Sequence, residues 1–303
     1  MIRSALYLPA SNARAIAKAR ALPCDAVILD LEDAVAPEAK TLAREQACAA
    51  FGEGFGARTA VLRVNGLDTD WGRADLAAAV TAAPDAVLAP KVEDAAGVRA
   101  YHAALAEAPE ALRLWAMVET PGAVLNLAEI AACAADTRLA GLVVGLNDVA
   151  LALRARPTPG REAFVTALQL TVAAARAHGL LMLDAVFNDL EDAAGLETEC
   201  AQGRAFGFDG KTVIHPRQIE PVNRAFSPTD DEVDWARAVV AAFADQPDAG
   251  VLRVKGAMVE RLHLREAERV LGSRSATAPG PPFPTAQQNE HPAIFTSESA
   301  TGD

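Results

Sequence analysis

Eight short apolar runs, each bounded by turn residues, recur along this chain: Ala5–Leu8, Ala26–Leu29, Ala60–Val64, Ala86–Ala89, Leu114–Val118, Leu139–Val144, Leu180–Leu183 and Thr212–Ile214. Most of the intervals carry apolar residues at helical spacing, among them Glu38–Ala50, Ala74–Ala82, Glu93–Ala106, Glu162–Ala177 and Leu190–Ala205. Strand–helix alternation of this kind predicts an α/β chain with a parallel sheet, and the unalternated strands fit burial on both faces. Eight strands are what a closed (β/α)8 barrel needs, and 303 residues leave room for one barrel plus an addition. An open doubly wound sheet with extra strands is the alternative.

Aromatic residues make up only 5% of a chain that is 51% hydrophobic, so the core must be alanine-lined helices packed on aliphatic strands. A formal net charge of −12 argues against nucleic acid and against an anionic membrane as partners, and any anionic substrate must be met by local cations. Cys24, Cys48, Cys133 and Cys200 are far apart, which reads as reduced thiols in a cytoplasmic protein. No apolar run is long enough to span a bilayer, and MIRSALYLPA reads as a first strand instead of a secretory signal.

After residue 225 the pattern changes. Ser227–Glu232 predicts a new helix start, followed by a helix to about Ala244, a short Val251–Val254 run and a final helix over Met258–Leu271. The expected organisation is a barrel over 1–225, a helical extension over 226–271 and a disordered, proline-rich tail over 272–303.

Strands five and six each end on a carboxylate, Glu119 before Thr120-Pro121-Gly122 and Asp148 after Gly145-Leu146-Asn147. In neighbouring parallel strands these emerge on the same face of the sheet and offer the oxygen ligands a hard cation such as Mg²⁺ takes. The alternative is that each caps the helix that follows it. Strand two ends in Asp30, Glu32 and Asp33, which read either as a solvated acidic loop or as groups orienting metal-bound water.

Arg63 lies inside an aliphatic strand, so it must reach an internal carboxylate or clamp the carboxylate of a bound anion. Lys91, at the end of strand four, is placed for a Schiff base, but the surrounding acids would keep it charged and paired with them. His215 is either a general base or a hydrogen-bonded strand–turn junction, and no other histidine lies at zinc-ligand spacing. The Gly52–Gly56 segment precedes a strand instead of following one, so it reads as a helix stop and not as a dinucleotide loop. Lys18, Lys40 and Arg44 are either contacts for phosphate groups or helix-surface charges.

Taken together, Arg3-Ser4 with Leu8-Pro9-Ala10, the acidic Leu29–Val35 segment with Pro37, Lys40 and Arg44, Arg63-Val64-Asn65, Ala89–Glu93, Val118-Glu119-Thr120, Gly145–Asp148 and Gly207–Gln218 resemble the citrate lyase β-subunit-like branch of the aldolase/citrate lyase superfamily. That branch includes malyl-CoA and citramalyl-CoA lyases, and the likeness runs from Arg3 to about Leu271. The resemblance implies a TIM barrel binding Mg²⁺ through Glu119 and Asp148, with Asp30, Glu32, Asp33 and Lys91 around the metal's waters. It implies a substrate site formed by Arg63, Gly145, Asn147 and Asp148, with Arg63 on the carboxylate of a 2-oxo acid. It also implies a homotrimer or hexamer whose extension reaches a neighbouring subunit.

In the CoA-thioester lyases of this group the extension carries a catalytic Asp, and here Met258-Val259 is followed by Glu260. The extra methylene shifts the carboxyl by on the order of 1 Å, a displacement able to cost about a hundredfold in rate; Glu260 is otherwise a solvated residue on an amphipathic helix. The leading expectation is a Mg²⁺-dependent carbon–carbon lyase that splits a short carboxylated 3-hydroxyacyl-CoA into a 2-oxo acid and an acyl-CoA, Glu260 moving the carbon-bound proton. A thioesterase on the same site, an aldolase that uses no CoA, and a non-catalytic subunit binding CoA or an acyl carrier are the alternatives.

Overall fold

Side chains along the eight strands alternate between two apolar cores, one enclosed by the strands and one beneath the helices. The computed structural model describes residues 1–275. Strands β1 (Ser4–Pro9), β2 (Ala26–Asp30), β3 (Thr59–Arg63), β4 (Ala86–Ala89), β5 (Arg113–Val118), β6 (Leu139–Val144), β7 (Leu181–Asp184) and β8 (Gly210–Val213) pair in chain order, with β8 returning to β1. Every pair is parallel, from Ala5↔Ala26 in β1–β2 to Leu183↔Gly210 in β7–β8. The chain is a closed (β/α)8 barrel, so the doubly wound alternative is excluded.

Inside the barrel Ala5, Ile28, Val61, Leu88, Trp115, Met117, Val143 and Leu183 form one buried cluster. Trp115 fills its centre, and Gly141 makes room for the indole, since a Cβ there would stand 3.1 Å from Trp115 Cδ1. The other strand face carries Leu6, Val27, Leu29, Leu62, Leu142 and Met182, packed under the surrounding helices. These are α1 (Ala13–Ala19), α2 (Lys40–Glu53), α3 (Gly72–Ala82), α4 (Ala95–Ala104), α5 (Pro121–Leu125), α6 (Leu127–Ala132), α7 (Leu146–Leu153), α8 (Val165–Ala177), α9 (Ala193–Phe206) and α10 (Ile219–Ala225). Ala19, Ala43, Ala47, Ala79 and Ala175 are fully buried at this layer, where small side chains let helices lie close to the sheet. Gly54, with φ 80°, closes α2 before β3, which settles the glycine-rich segment as a helix stop.

Beyond α10, helix α11 (Asp230–Asp245) starts from a Thr229–Glu232 capping box. The final helix expected from Met258 begins later. Strands β9 (Val251–Val254) and β10 (Ala257–Glu260) form an antiparallel hairpin, and α12 (Arg261–Ser275) follows. The two-residue turn Lys255-Gly256 has φ of 46° and 87°, the paired positive values that suit a tight hairpin. Val259 is then buried while Met258 is 65% exposed, a period of two that a helix would not give.

The extension has its own apolar cluster of Ala236, Val239, Phe243, Val254, Val259 and Ala267. α12 runs past the Gly272 start expected for the tail, and residues 276–303 lie outside the described residues. Cys24, Cys133 and Cys200 are buried and Cys48 is half-buried, all as free thiols. Among the described residues no helix is long and apolar enough to cross a membrane.

Candidate active site

The C-terminal ends of the strands carry most of the acids that the sequence singled out. Inward positions repeat every second residue, so Asp30 follows Ile28 on β2, Arg63 follows Val61 on β3 and Glu119 follows Met117 beyond β5. Glu119 is 1% exposed. It does not cap the helix after it, because the Thr120 side chain accepts from Ala123 N and does so instead. Its Oε1 accepts the backbone N–H of Lys91 at 2.7 Å. Lys91 has φ 51°, a left-handed conformation uncommon for a side-chain-bearing residue, and that turn aims its amide at the carboxylate.

Glu119 and Gly145 end adjacent strands, with Gly145 N donating to Val118 O at 3.0 Å. Asp148 sits half-buried in the first turn of α7, whose N-cap Gly145 has no side chain to offer. Burial raises the pKa of Glu119 to about 8, and the charges of Glu32 and Asp148 add to the effect. The charge of Asp148 is thus among those that disfavour a charged Glu119.

Arg63 is 8% exposed and committed to acids. Asp30 takes Nε at 2.7 Å and Nη2 at 2.5 Å in a two-bonded fork. Nη1 lies 2.8 Å from Glu32 Oε2 and 3.5 Å from Asp33 Oδ2. Burial works against its charge, but the hydrogen bonds and charge of Asp30 outweigh that and hold the guanidinium protonated. The internal ion pair expected of Arg63 is therefore present, and all three of its nitrogens already face carboxylates of residues 30–33.

Glu32 is 6% exposed, and Oε2 has no hydrogen-bond partner despite the nearby guanidinium. Burial raises its pKa above the usual carboxylate range, with Arg63 opposing. Lys91 Nζ reaches Glu32 Oε1 at 3.3 Å, and that charge raises the lysine's pKa. A Schiff-base role, which needs the neutral amine, is disfavoured.

The remaining candidates separate. Asn147 is exposed and exchanges side-chain hydrogen bonds with Asn188. His215 Nδ1 accepts from Arg217 N at 3.1 Å in a capping box with Gln218, so it resolves as a strand–turn junction. Lys40 is buried with three hydrogen bonds and Arg44 Nε donates to Asp75 at 2.6 Å, so neither is a free surface cation for phosphate groups. Lys18, in the last turn of α1, is at the helix end away from the mouth. Glu260 ends β10, its backbone N donating to His263 Nδ1 at 2.9 Å. A cavity of about 580 Å³ between α12 and the barrel is lined by Met1, Phe208, Asp209 and Arg269, so the extension packs at the N-terminal ends of β8 and β1. Glu266, Arg269 and Val270 of α12 line this cavity, at the end of the barrel opposite the mouth.

Two features escaped sequence reasoning. Tyr7 faces the interior beneath Arg63, 5.1 Å from ring to guanidinium carbon, with its hydroxyl buried and unpartnered; the period-two register of β1 was the signal. Behind β7 and β8, Arg161 and Lys211 pair with Asp184 and Glu199 in a buried quartet. Its members are scattered along the chain and carry no local signature.

Among the described residues no group of three or more His, Cys, Asp or Glu side chains is arranged to hold a metal by itself. The Glu119–Asp148 pair nevertheless suits a hard cation. Glu119 is buried with its charge opposed, its donors are oxygens, and a Cβ at Gly145 would lie 2.7 Å from Oε2, so only glycine leaves that oxygen open. Mg²⁺ commonly binds through one or two carboxylates and keeps several waters.

This chain is 47% identical over 279 residues to a (3S)-malyl-CoA thioesterase of Cereibacter sphaeroides strain KD131, covering 91% of this chain and 95% of that relative. It is 34% identical to citrate lyase subunit beta of Escherichia coli strain K12, covering 89% and 92%. A solved structure of the protein CitE from Mycobacterium tuberculosis in complex with magnesium, acetoacetate and coenzyme A superposes with a TM-score of 0.75 at 34% identity, covering 90% of this chain and 98% of that one. The family model for HpcH/HpaI aldolase/citrate lyase matches residues 3–216, which span all eight barrel strands, and the chain belongs to that family.

Proposed function

We propose that this protein hydrolyses the thioester of a short 3-hydroxyacyl-CoA whose acyl chain ends in a carboxylate, with Mg²⁺ as cofactor. The observation that carries this reading is Glu119, a buried carboxylate whose charge is opposed by those of Glu32 and Asp148 and which has no ion-pair partner among the described residues. Glu119 and Asp148 would hold the ion. When bound, Mg²⁺ supplies Lewis-acid polarisation of substrate oxygens. The choice of a thioester is supported by the 47% identity to a malyl-CoA thioesterase.

The chain's own groups supply the rest. Glu32, whose basicity burial raises above the usual carboxylate range and whose Oε2 accepts no hydrogen bond, suits removal of a proton from the attacking water. Lys91 stays charged at the rim, 55% exposed, and offers a proton to the departing thiolate or a charge to the acyl carboxylate. Arg63, through Nη1, holds the Glu32 carboxylate in the floor of the site. One water is consumed, and the products are a hydroxy dicarboxylic acid and the free thiol.

Carbon–carbon cleavage, placed first on the sequence alone, becomes the second reading. The observation favouring it is Glu260, a carboxylate at the end of an exposed hairpin that a neighbouring subunit could receive. Met258 at 65%, Leu262 at 51%, Leu125 at 84% and Leu151 at 80% exposure support a homo-oligomer, trimer or hexamer, in which these apolar side chains are covered. The barrel and extension then act as separate units of one assembly, in the cytoplasm, with reduced cysteines.

The deciding experiment incubates purified protein with malyl-CoA and Mg²⁺ and measures free thiol and 2-oxo acid together. Thiol without 2-oxo acid is expected. Glyoxylate with acetyl-CoA would establish the lyase, and no turnover with or without metal would favour a non-catalytic binding subunit. Turnover of the free hydroxy acid would identify the CoA-independent aldolase.

A further inference from the structure

The acidic turn after β2 is gripped from two sides. Asp30 accepts the backbone N–H groups of Glu32 at 2.8 Å and Ala34 at 3.1 Å. On the other side stands Lys40, the first residue of α2, only 6% exposed. Its ammonium donates to Leu31 O, to Glu32 O and to Asn65 Oδ1, each at 2.7 Å. Asn65 is itself fixed, with Nδ2 donating to Leu31 O at 3.0 Å and to Asp75 Oδ2 at 2.6 Å.

An ammonium has three donors, and here all three meet neutral acceptors. A buried lysine usually needs an acid partner, because desolvation penalises its charge. Desolvation does lower the pKa of Lys40, against the more distant charges of Asp30, Glu32 and Asp75. The charge is thus spent on holding backbone carbonyls. With four backbone groups of residues 31–34 tied by Asp30 and Lys40, Glu32 and Asp33 are the chemistry-bearing groups the turn presents to the mouth.

We propose that Lys40 is a positioning residue: its clamp on Leu31 O and Glu32 O sets where the Glu32 carboxylate stands beside Glu119, and so sets Mg²⁺ affinity and the rate of the step at Glu32. This rests on the reading of the site given above. Without the ammonium, two buried carbonyls and the Asn65 amide oxygen lose their donor, and the turn must move to satisfy them.

The test compares Lys40→Met, Lys40→Gln and Lys40→Arg with wild type in three measurements: thermal midpoint, Mg²⁺ binding by calorimetry with MgCl₂ alone, and kcat and KM for malyl-CoA turnover. Lys40→Met is expected to weaken Mg²⁺ about tenfold and lower kcat by about tenfold or more, with KM changed less than about threefold. Lys40→Arg, which restores charge and donors, should recover part of both. A fall in thermal midpoint with unchanged Mg²⁺ affinity and kcat per folded molecule would make Lys40 a purely structural clamp and overturn the inference. Should Lys40→Met not fold, the ordering wild type, Lys40→Arg, Lys40→Gln in Mg²⁺ affinity carries the same decision. Wild-type protein that binds no Mg²⁺ would instead overturn the reading of the site, and the inference with it.

Discussion

A Cβ added to Gly145 would stand 2.5 Å from Glu119 Cβ and 2.7 Å from Glu119 Oε2. The bare backbone at the end of β6 is what leaves room for the β5 carboxylate. Gly145→Ala should therefore displace Glu119 without touching any charge. Overpacking of this kind costs about 1–3 kcal/mol. The expected result is a modestly lowered thermal midpoint and a loss of Mg²⁺ affinity of about tenfold or more by calorimetry. Equal affinity in the variant would show that Glu119 is not held by this contact.

The raised pKa of Glu119 has a sign that stability measurements can read. In the unfolded chain the group titrates near 4.5, and in the metal-free fold near 8. Between those values the folded state binds more protons, so stability conferred by the protonated carboxyl is complete below pH 4.5 and is lost as pH rises toward 8. Metal-free protein should thus lose thermal midpoint over that window, and Glu119→Gln should flatten the loss. Added Mg²⁺ should stabilise wild type most at the alkaline end, since protons and metal compete for the same oxygens.

Removal of Arg63 is expected to damage the fold before it reports on ligands. Its guanidinium neutralises buried Asp30 and Glu32, and leaving such charges unpaired costs about 3–5 kcal/mol. Arg63→Met should show this as a lowered urea midpoint. Arg63→Lys keeps the charge but not the two-bonded fork to Asp30, so it should retain more stability and still lose turnover. Wild-type stability in Arg63→Met would mean that the fork to Asp30 contributes little.

α12, which follows Glu260, packs at the end of the barrel opposite the mouth, so a catalytic part for Glu260 is expected to come through a second subunit. Mixing and reassembling inactive Glu119→Ala with inactive Glu260→Ala protein should then regenerate active sites that combine an intact barrel with an intact extension. Full activity in Glu260→Ala alone would make the residue structural and leave hydrolysis as the sole reading.

Much of the barrel was legible because it rests on local periodicity. The run Ala86–Ala89 is β4 at both ends, and Leu139–Val144 is β6. What lay hidden depends on partners distant in sequence. Arg63 was readable as a buried cation that either pairs with the acidic cluster or clamps an anion, but its two-bonded fork to Asp30 was not, because inward register is set only once β2 and β3 pair Asp30 with Arg63. Lys40 reads from the sequence as either a phosphate contact or a helix-surface charge, and only the return of the β2 turn over it reveals the clamp. The hairpin at Met258–Glu260 was missed since its apolar spacing also fits the helix that follows. The positive φ values at Lys255-Gly256 decide otherwise.

The most direct test is a crystal soaked in Mn²⁺, an anomalous scatterer that takes Mg²⁺ sites, in the absence of substrate. One peak is expected between Glu119 and Asp148, with a carboxylate oxygen of each at about 2.1 Å, the distance for hard octahedral cations of this size. Such a peak should vanish in Glu119→Gln. A crystal with no peak there, or with the ion bound by other side chains, would contradict a shared divalent cation at the ends of β5 and β6.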